Sequence, residues 1–256
     1  MRNMETPWRN RIIAASAIVL LLLAWLAGAR VTGNDFILPG PGMVLKQMAE
    51  LLMLPDFYIN LLVTILRGLL GFVISLVFAS LLGFAAAVWP SFRHAVFPLL
   101  TAMRSTPVIS FILLALIWVG SDRVPVFIAF LTMFPILCSS ILDGIKNTDR
   151  ELIMMAQSFR VPQSRIFTGI FLPSLAPFFF SGLTNAMGFG WRAIIIGEVL
   201  SQPVFGIGSR MKDAQNYLMV STLIAWTVFA ILVSSLFEFL ARKLEKKTVH
   251  WRNLHE

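Results

Sequence analysis

The sequence predicts an all-α, polytopic membrane protein with six transmembrane helices and both termini in the cytoplasm. Three observations carry that expectation. Hydrophobic residues make up 57% of the 256-residue chain and charged residues 13%, whereas a soluble domain carries about 25% charged residues. The apolar residues fall in runs of the length a bilayer demands, about 20 residues each. The 21 lysines and arginines are shared unevenly between the connecting segments, the bias that sets orientation.

The same totals exclude other classes. The net charge of +8 suits an anionic partner, but the basic residues crowd the membrane flanks, so lipid is expected and nucleic acid is not. The single cysteine, Cys138, forms no intrachain disulfide and no thiolate cluster. The three histidines, His94, His250 and His255, are scattered outside the apolar runs, so no metal site is expected.

In chain order, residues 1–11 form a basic N-terminal segment with Arg2, Arg9 and Arg11 against Glu5. Residues 12–29 follow as 18 mostly apolar positions, longer than a signal-peptide core, and read as a retained first span. Residues 30–59 read as an external loop built around Leu38-Pro39-Gly40-Pro41-Gly42, a rigid turn. Within it, Val44 to Leu54 suits a short amphipathic surface helix. The second span covers 60–88, 29 residues, enough to tilt or protrude, and ends at Trp89-Pro90-Ser91. The third covers 97–119 and is interrupted by Arg104-Ser105-Thr106-Pro107. A tight loop, 120–125, precedes the fourth span, 126–142. Residues 143–173 form the next connecting loop, with a polar island over 147–173. The fifth span covers 174–200, residues 201–218 read as a loop with Gly206-Ile207-Gly208, the sixth span covers 219–241, and 242–256 form a basic tail. With the termini inside, the cytoplasmic segments hold thirteen basic residues and the outer loops five. That excess places the island in the cytoplasm.

The island has its own local logic. Thr148-x-x-Glu151 fits a capping box, in which each side chain satisfies an orphan backbone N–H, so a helix is expected to start near Asp149. Leu152, Met155, Ala156 and Phe159 then share one face by 3.6 periodicity. Pro162 forces a bend, Ser164 suits the cap of a second helix running to Phe171, and Pro173 and Pro177 mark the entry to the fifth span. Exposed Met154, Met155 and Phe159 invite a partner surface. An amphipathic hairpin resting on lipid headgroups is the other reading of these residues.

Here a family resemblance adds to the residues. The island resembles the cytoplasmic loop of ABC-importer permeases, whose motif is Glu-Ala-Ala, three residues, Gly, nine residues, then Ile-x-Leu-Pro. Ile170, Leu172 and Pro173 match its end and Ala156 its third position. Met154, Met155 and Arg160 stand where Glu, Ala and Gly are usual. Leu38-Pro39-x-Pro41, Leu66-Arg67-Gly68-x-x-Gly71-Phe72, Met103-Arg104-Ser105-Thr106-Pro107, Ile117-Trp118-Val119-Gly120, Asp143-Gly144-Ile145, Gly190-Trp191-Arg192 with Glu198, and Gly206-Ile207-Gly208 follow in order. Together they resemble the nitrate, taurine and aliphatic-sulfonate permease group over residues 36–240.

The resemblance implies a type I importer fold, with residues 60–241 as the permease core. It implies a second permease subunit, commonly identical, two cytoplasmic ATPases and an external solute-binding protein. It implies that Glu151, Met154, Met155, Ala156, Phe159, Arg160, Pro162, Ile170, Leu172 and Pro173 form the ATPase-coupling surface. The family glycine permits a left-handed corner, so the Arg160-Val161-Pro162 corner is expected to turn by another route. No Walker-type Gly-x-x-x-x-Gly-Lys-Ser/Thr is present, so the chain is expected to bind no cofactor, with ATP and Mg held by the partner ATPase.

Ionisable residues inside the runs each need an account, since one costs about 2.5–3.5 kcal/mol at a helix centre on insertion scales. Glu238 lies one turn before Arg242 and reads as an interfacial pair. Arg67 lies about 10 Å from the outer end of its span at 1.5 Å per residue, within snorkelling reach. Glu198 reads as lining the mouth or the lipid edge. Arg104, just before Pro107, and Arg192, beside Gly188 and Gly190, are candidates for the translocation pathway of an anionic cargo. Bracing helix packing through carbonyls is the alternative role for both arginines. A membrane enzyme would need a polar catalytic cluster and an ion-coupled transporter midplane acids with a visible repeat; the sequence presents neither.

Overall fold

The computed structural model describes residues 7–248. These form helices throughout, with no strand among them. Five are long and apolar enough to cross a membrane, or six if one sharply bent pair counts as a single span.

The first helix, α1 (Pro7–Thr32), is exposed along most of its length. It is tied to the following turn by Trp25, whose Nε1–H donates to the Pro39 carbonyl at 3.1 Å. Helix α2 (Pro41–Leu52) begins with proline at its first turn, where the missing N–H is no loss. The amphipathic helix expected here exists, but it buries Val44 and Leu51 and packs on the last helix rather than lying free on a surface.

Helix α3 (Pro55–Val88) runs for 34 residues and stops at Trp89. Helix α4 (Pro90–Ser105) and helix α5 (Val108–Val119) are separated at Thr106-Pro107. The expected third span is therefore not one interrupted rod but an elbow of 98°. Pro107 has no N–H to continue the α4 ladder. Instead its carbonyl accepts the Ser110 N–H at 3.0 Å and starts a new helix.

Helix α6 (Val124–Lys146) is the hub, packed against both α3 and α9 (Leu172–Ser201). Val124, Ile128, Met133, Leu137 and Ile141 are fully or almost fully buried along it. The close approach of α9 depends on Gly190, where any Cβ would overlap the Met133 side chain. Gly188, read from sequence as its companion, faces open space.

The chain closes with α10 (Ile207–Asn216) and α11 (Val220–Thr248). The segment 201–218, expected to be a loop, thus holds a ten-residue helix. The expected tail from Arg242 continues α11 as far as Thr248. Residues 1–6 of the basic N-terminal segment and 249–256 of the tail lie outside the described residues.

Candidate functional site

Two groups of residues stand out, at opposite ends of α6. The first is the island. Helix α7 (Arg150–Ser158) is capped by Asp149, whose carboxylate accepts the N–H groups of Glu151 at 2.8 Å and Leu152 at 3.3 Å. The expected Thr148 capping box does not form. Thr148 is buried and its hydroxyl donates back to the Gly144 carbonyl at 3.1 Å, so α6 claims it and the next residue becomes the cap. The carboxylate at this position also complements the helix dipole, as does Glu151 in the first turn.

Helix α7 ends in a left-handed corner at Arg160, φ +54°. The Arg160 N–H reaches the Gln157 carbonyl at 2.9 Å and the Val161 N–H reaches Ala156 at 3.0 Å. Those two bonds are a Schellman motif, usually built with glycine at the left-handed position. The expectation of another route is corrected: the corner keeps the glycine geometry with an arginine in it.

Apolar side chains on α7 divide between two sides. Ala156 is buried, while Leu152, Met154, Met155 and Phe159 are exposed, Phe159 at 77%. The shared face expected for Leu152, Met155, Ala156 and Phe159 is thus split, with Ala156 turned inward.

Beyond the corner, Pro162 occupies the cap position of α8 (Gln163–Ile166), and Ser164 makes no cap. Five residues, Phe167–Phe171, form a π-helical turn that includes Ile170. Leu172 and Pro173 then open α9. No separate second helix ends at Phe171. Residues 163–201 form one continuous rod.

The second group lies at the far end. Glu198, expected at the mouth or lipid edge, is 0% exposed. Arg67, expected to snorkel, points its Nη1 at Glu198 Oε1 at 2.9 Å and at the Phe205 carbonyl at 2.5 Å, and its Nη2 at Asp122 at 3.4 Å. The Thr64 hydroxyl lies 3.0 Å from both Glu198 oxygens.

Three successive backbone N–H groups at the start of α10 are taken by side chains from elsewhere. Gly206 donates to Asn60 Oδ1 at 2.8 Å, Ile207 to Thr64 Oγ1 at 2.9 Å and Gly208 to Glu198 Oε2 at 2.9 Å. Helix α10 is therefore capped by α3 and α9 rather than by its own sequence. Gly206 has φ +148°, and a Cβ there would lie 2.6 Å from the Glu198 carboxyl carbon. Asn60 and Thr64 were not singled out from sequence. Their signal is polar residues at i, i+4 and i+7 with Arg67, one stripe on an otherwise apolar helix.

The two candidate pathway arginines are placed differently from the clasp. Arg104 is exposed on the elbow, and its Nη2 donates to the Pro135 carbonyl at 2.9 Å. Pro107 forms the elbow itself. Arg192 is exposed on α9, its guanidinium 5.8 Å from the Phe189 ring centroid, and lines a cavity shared with Ser234, Ser235 and Glu238 of α11. Glu238 makes the expected pair with Arg242, at 2.5 Å. No group of three or more metal-ligating side chains occurs among the described residues.

Comparison with known proteins agrees with this architecture. The family of binding-protein-dependent transport system inner membrane components matches residues 79–250. The chain is 23% identical to the taurine transport system permease protein of Escherichia coli, over 98% of this chain and 94% of that one. It is 26% identical to the nitrate import permease protein of a Synechocystis strain, over 92% and 88%. It is 28% identical to the formylaminopyrimidine transport permease protein of Halalkalibacterium halodurans, over 71% and 73%.

Proposed function

The chain belongs to the binding-protein-dependent transport system inner membrane components, and from that premise we propose how its parts divide the work. It is a multi-pass inner-membrane permease of an ABC importer and not an enzyme. In our reading it has six spans, the α4–α5 elbow counting as one, with both termini cytoplasmic. It pairs with a second permease subunit, an identical one being the simplest case. Two cytoplasmic ATPases supply ATP and Mg chemistry, and an external binding protein delivers the solute.

The island is the coupling element. The observation that carries this is the α7 corner: a short, capped helix that leaves Met154, Met155 and Phe159 exposed beside a sharp left-handed turn. Such a knob is a poor surface for water and a good one for an apolar groove on a partner. Because residues 163–201 are one continuous helical run, a push on the corner is delivered to α9 through the π-helical turn at Phe167–Phe171. Glu151, Arg160, Pro162, Ile170, Leu172 and Pro173 shape this lever rather than react.

Arg104 and Arg192 line the pathway for a small anionic solute. Both are exposed within apolar helices, where a charge facing hydrocarbon is costly. A relative named for nitrate import, and one named for taurine, whose sulfonate end is anionic, support a cargo with an anionic group. Arg104→Gln and Arg192→Gln are each expected to slow uptake at unchanged expression.

The deciding experiment is co-purification. The wild-type chain is expected to capture an ATPase, and the Met155→Asp/Phe159→Asp double variant to lose it while keeping its thermal unfolding temperature. Undiminished capture by the folded double variant would overturn the coupling assignment. Uptake that persists with no ATPase present would overturn the importer reading and favour an ion-coupled transporter.

A further inference from the structure

We propose that the cavity inside the α4–α5 elbow is a cargo subsite that takes a small organic anion with an apolar body, in preference to a bare inorganic anion. The proposal rests on the permease reading and adds to it the chemical class of the solute.

Depth is the first argument. Pro135 stands midway along α6, eleven residues from either end, so the Arg104 guanidinium that bonds its carbonyl lies about 16 Å from both, at 1.5 Å per residue. Arg104 has no carboxylate partner among the described residues. A charge at mid-depth, exposed on the chain's own surface and met by one carbonyl, belongs against an aqueous path rather than against hydrocarbon. The helix break beside it, at Thr106-Pro107, is the feature by which transport sites interrupt their helices near the midplane.

Size and lining give the class. The cavity holds about 330 Å³, within the range of small-molecule pockets. Met103, Val108, Phe111, Leu131, Ile136 and Phe189 supply apolar walls. Thr106 and Thr132 add two hydroxyls, but each proton is already given to its own helix, to Ala102 O at 2.8 Å and Ile128 O at 2.9 Å. Neither donates to an anion in that state.

Arg104 is thus the one side chain of the lining that offers donors to a negative group. A second positive charge, on Arg192, stands one ring away, over Phe189. A small inorganic oxyanion carries charge on every side and needs donors all round. Here it would meet a guanidinium on one side and hydrocarbon on the others. An organic anion directs its charged end to Arg104 and lays its body on the aromatic and aliphatic walls.

The test is site-directed alkylation on the purified full-length chain in nanodiscs. Thr132→Cys is introduced in a Cys138→Ala background and labelled with a maleimide in the presence of benzenesulfonate, benzenesulfonamide or nitrate. Benzenesulfonate is expected to slow labelling about tenfold at ten times its dissociation constant. The neutral sulfonamide and nitrate, at the same concentration, are expected to leave the rate near that without ligand. Arg104→Gln should abolish the preference for sulfonate over sulfonamide, and Arg104→Lys should restore part of it. Thr106→Cys serves as a second reporter if the first variant does not fold. Equal protection by nitrate, equal protection by the sulfonamide, or no protection by any probe at either position overturns the proposal. These outcomes are separable from the permease reading, because that reading is tested by ATPase capture at Met155 and Phe159, which do not line the elbow cavity.

Discussion

Arg67 and Glu198 are joined by a 2.9 Å ion pair across 131 residues of sequence, with the carboxylate fully buried. The pair does more than neutralise two charges. The remaining carboxylate oxygen caps α10, and the guanidinium also holds the Phe205 carbonyl and Asp122. Helices α3 and α9, the α5–α6 turn and the α10 entry all meet in these two side chains.

The Glu198 carboxylate both pairs with Arg67 and caps α10, and breaking a buried ion pair costs about 3–5 kcal/mol. Glu198→Ala is therefore expected to lower the unfolding temperature sharply in detergent. Combining it with Arg67→Met should recover part of the loss. Asp122→Asn should have little effect, since the Asp122 side chain is 65% exposed and its ion pair is screened. Additive losses in the double variant would show that the two side chains act independently.

Gly190 and Met133 define the α6–α9 approach. Gly190→Ala is expected to destabilise by about 1–3 kcal/mol through overpacking. Met133→Ala in the same chain should relieve it, because the overlap is with the flexible thioether rather than with backbone. Chemical denaturation of both single variants and the pair measures the coupling.

The Arg160 corner makes a prediction of opposite sign. A non-glycine residue in the left-handed region costs about 1–2 kcal/mol, so Arg160→Gly should stabilise the α7 corner by a comparable amount. Arg160→Val should destabilise it, β-branching being poorly compatible with φ +54°. Limited proteolysis between Phe159 and Pro162 reads the change locally, where a global melt would dilute it.

Asp149→Ala should unravel the first turn of α7 at a cost of about 1 kcal/mol, while Asp149→Asn should be nearly neutral. Thr148→Val leaves the cap in place and removes only the bond to Gly144. If Thr148 variants frayed α7 and Asp149 variants did not, the assignment of the cap would be reversed. Hydrogen exchange at the Glu151 and Leu152 amides distinguishes the two.

What the sequence made legible was what local chemistry decides. Prolines at 90, 107 and 162 and glycine at 120 stop or start helices where the run pattern says they should. The apolar runs fall on the helices that are long and apolar enough to cross a membrane. Long-range pairing was not legible. Helix α10 carries no cap of its own, and its Gly206-Ile207-Gly208 start reads as loop until Asn60, Thr64 and Glu198 arrive from other helices. The Thr148 and Asp149 caps differ by one residue, and both side chains are competent. Only the backbone of α6, ending where it does, decides between them. The elbow angle at Thr106-Pro107 was equally hidden, because proline announces a break but not its direction.

The unbroken rod from Gln163 to Ser201 has a mechanical consequence. If the tight Gly190–Met133 contact serves as its fulcrum, the arms are unequal, about 40 Å towards the island and about 12 Å towards Glu198, at 1.5 Å per residue. A tilt of about 5° would then carry the island end by about 3.5 Å and the Glu198 end by about 1 Å on the same geometry. The molecule is geared down: a generous stroke at the island end becomes a small, forceful displacement at the clasp. A displacement of that size, comparable to the slack in one hydrogen bond, is enough to break or make the contacts of Arg67.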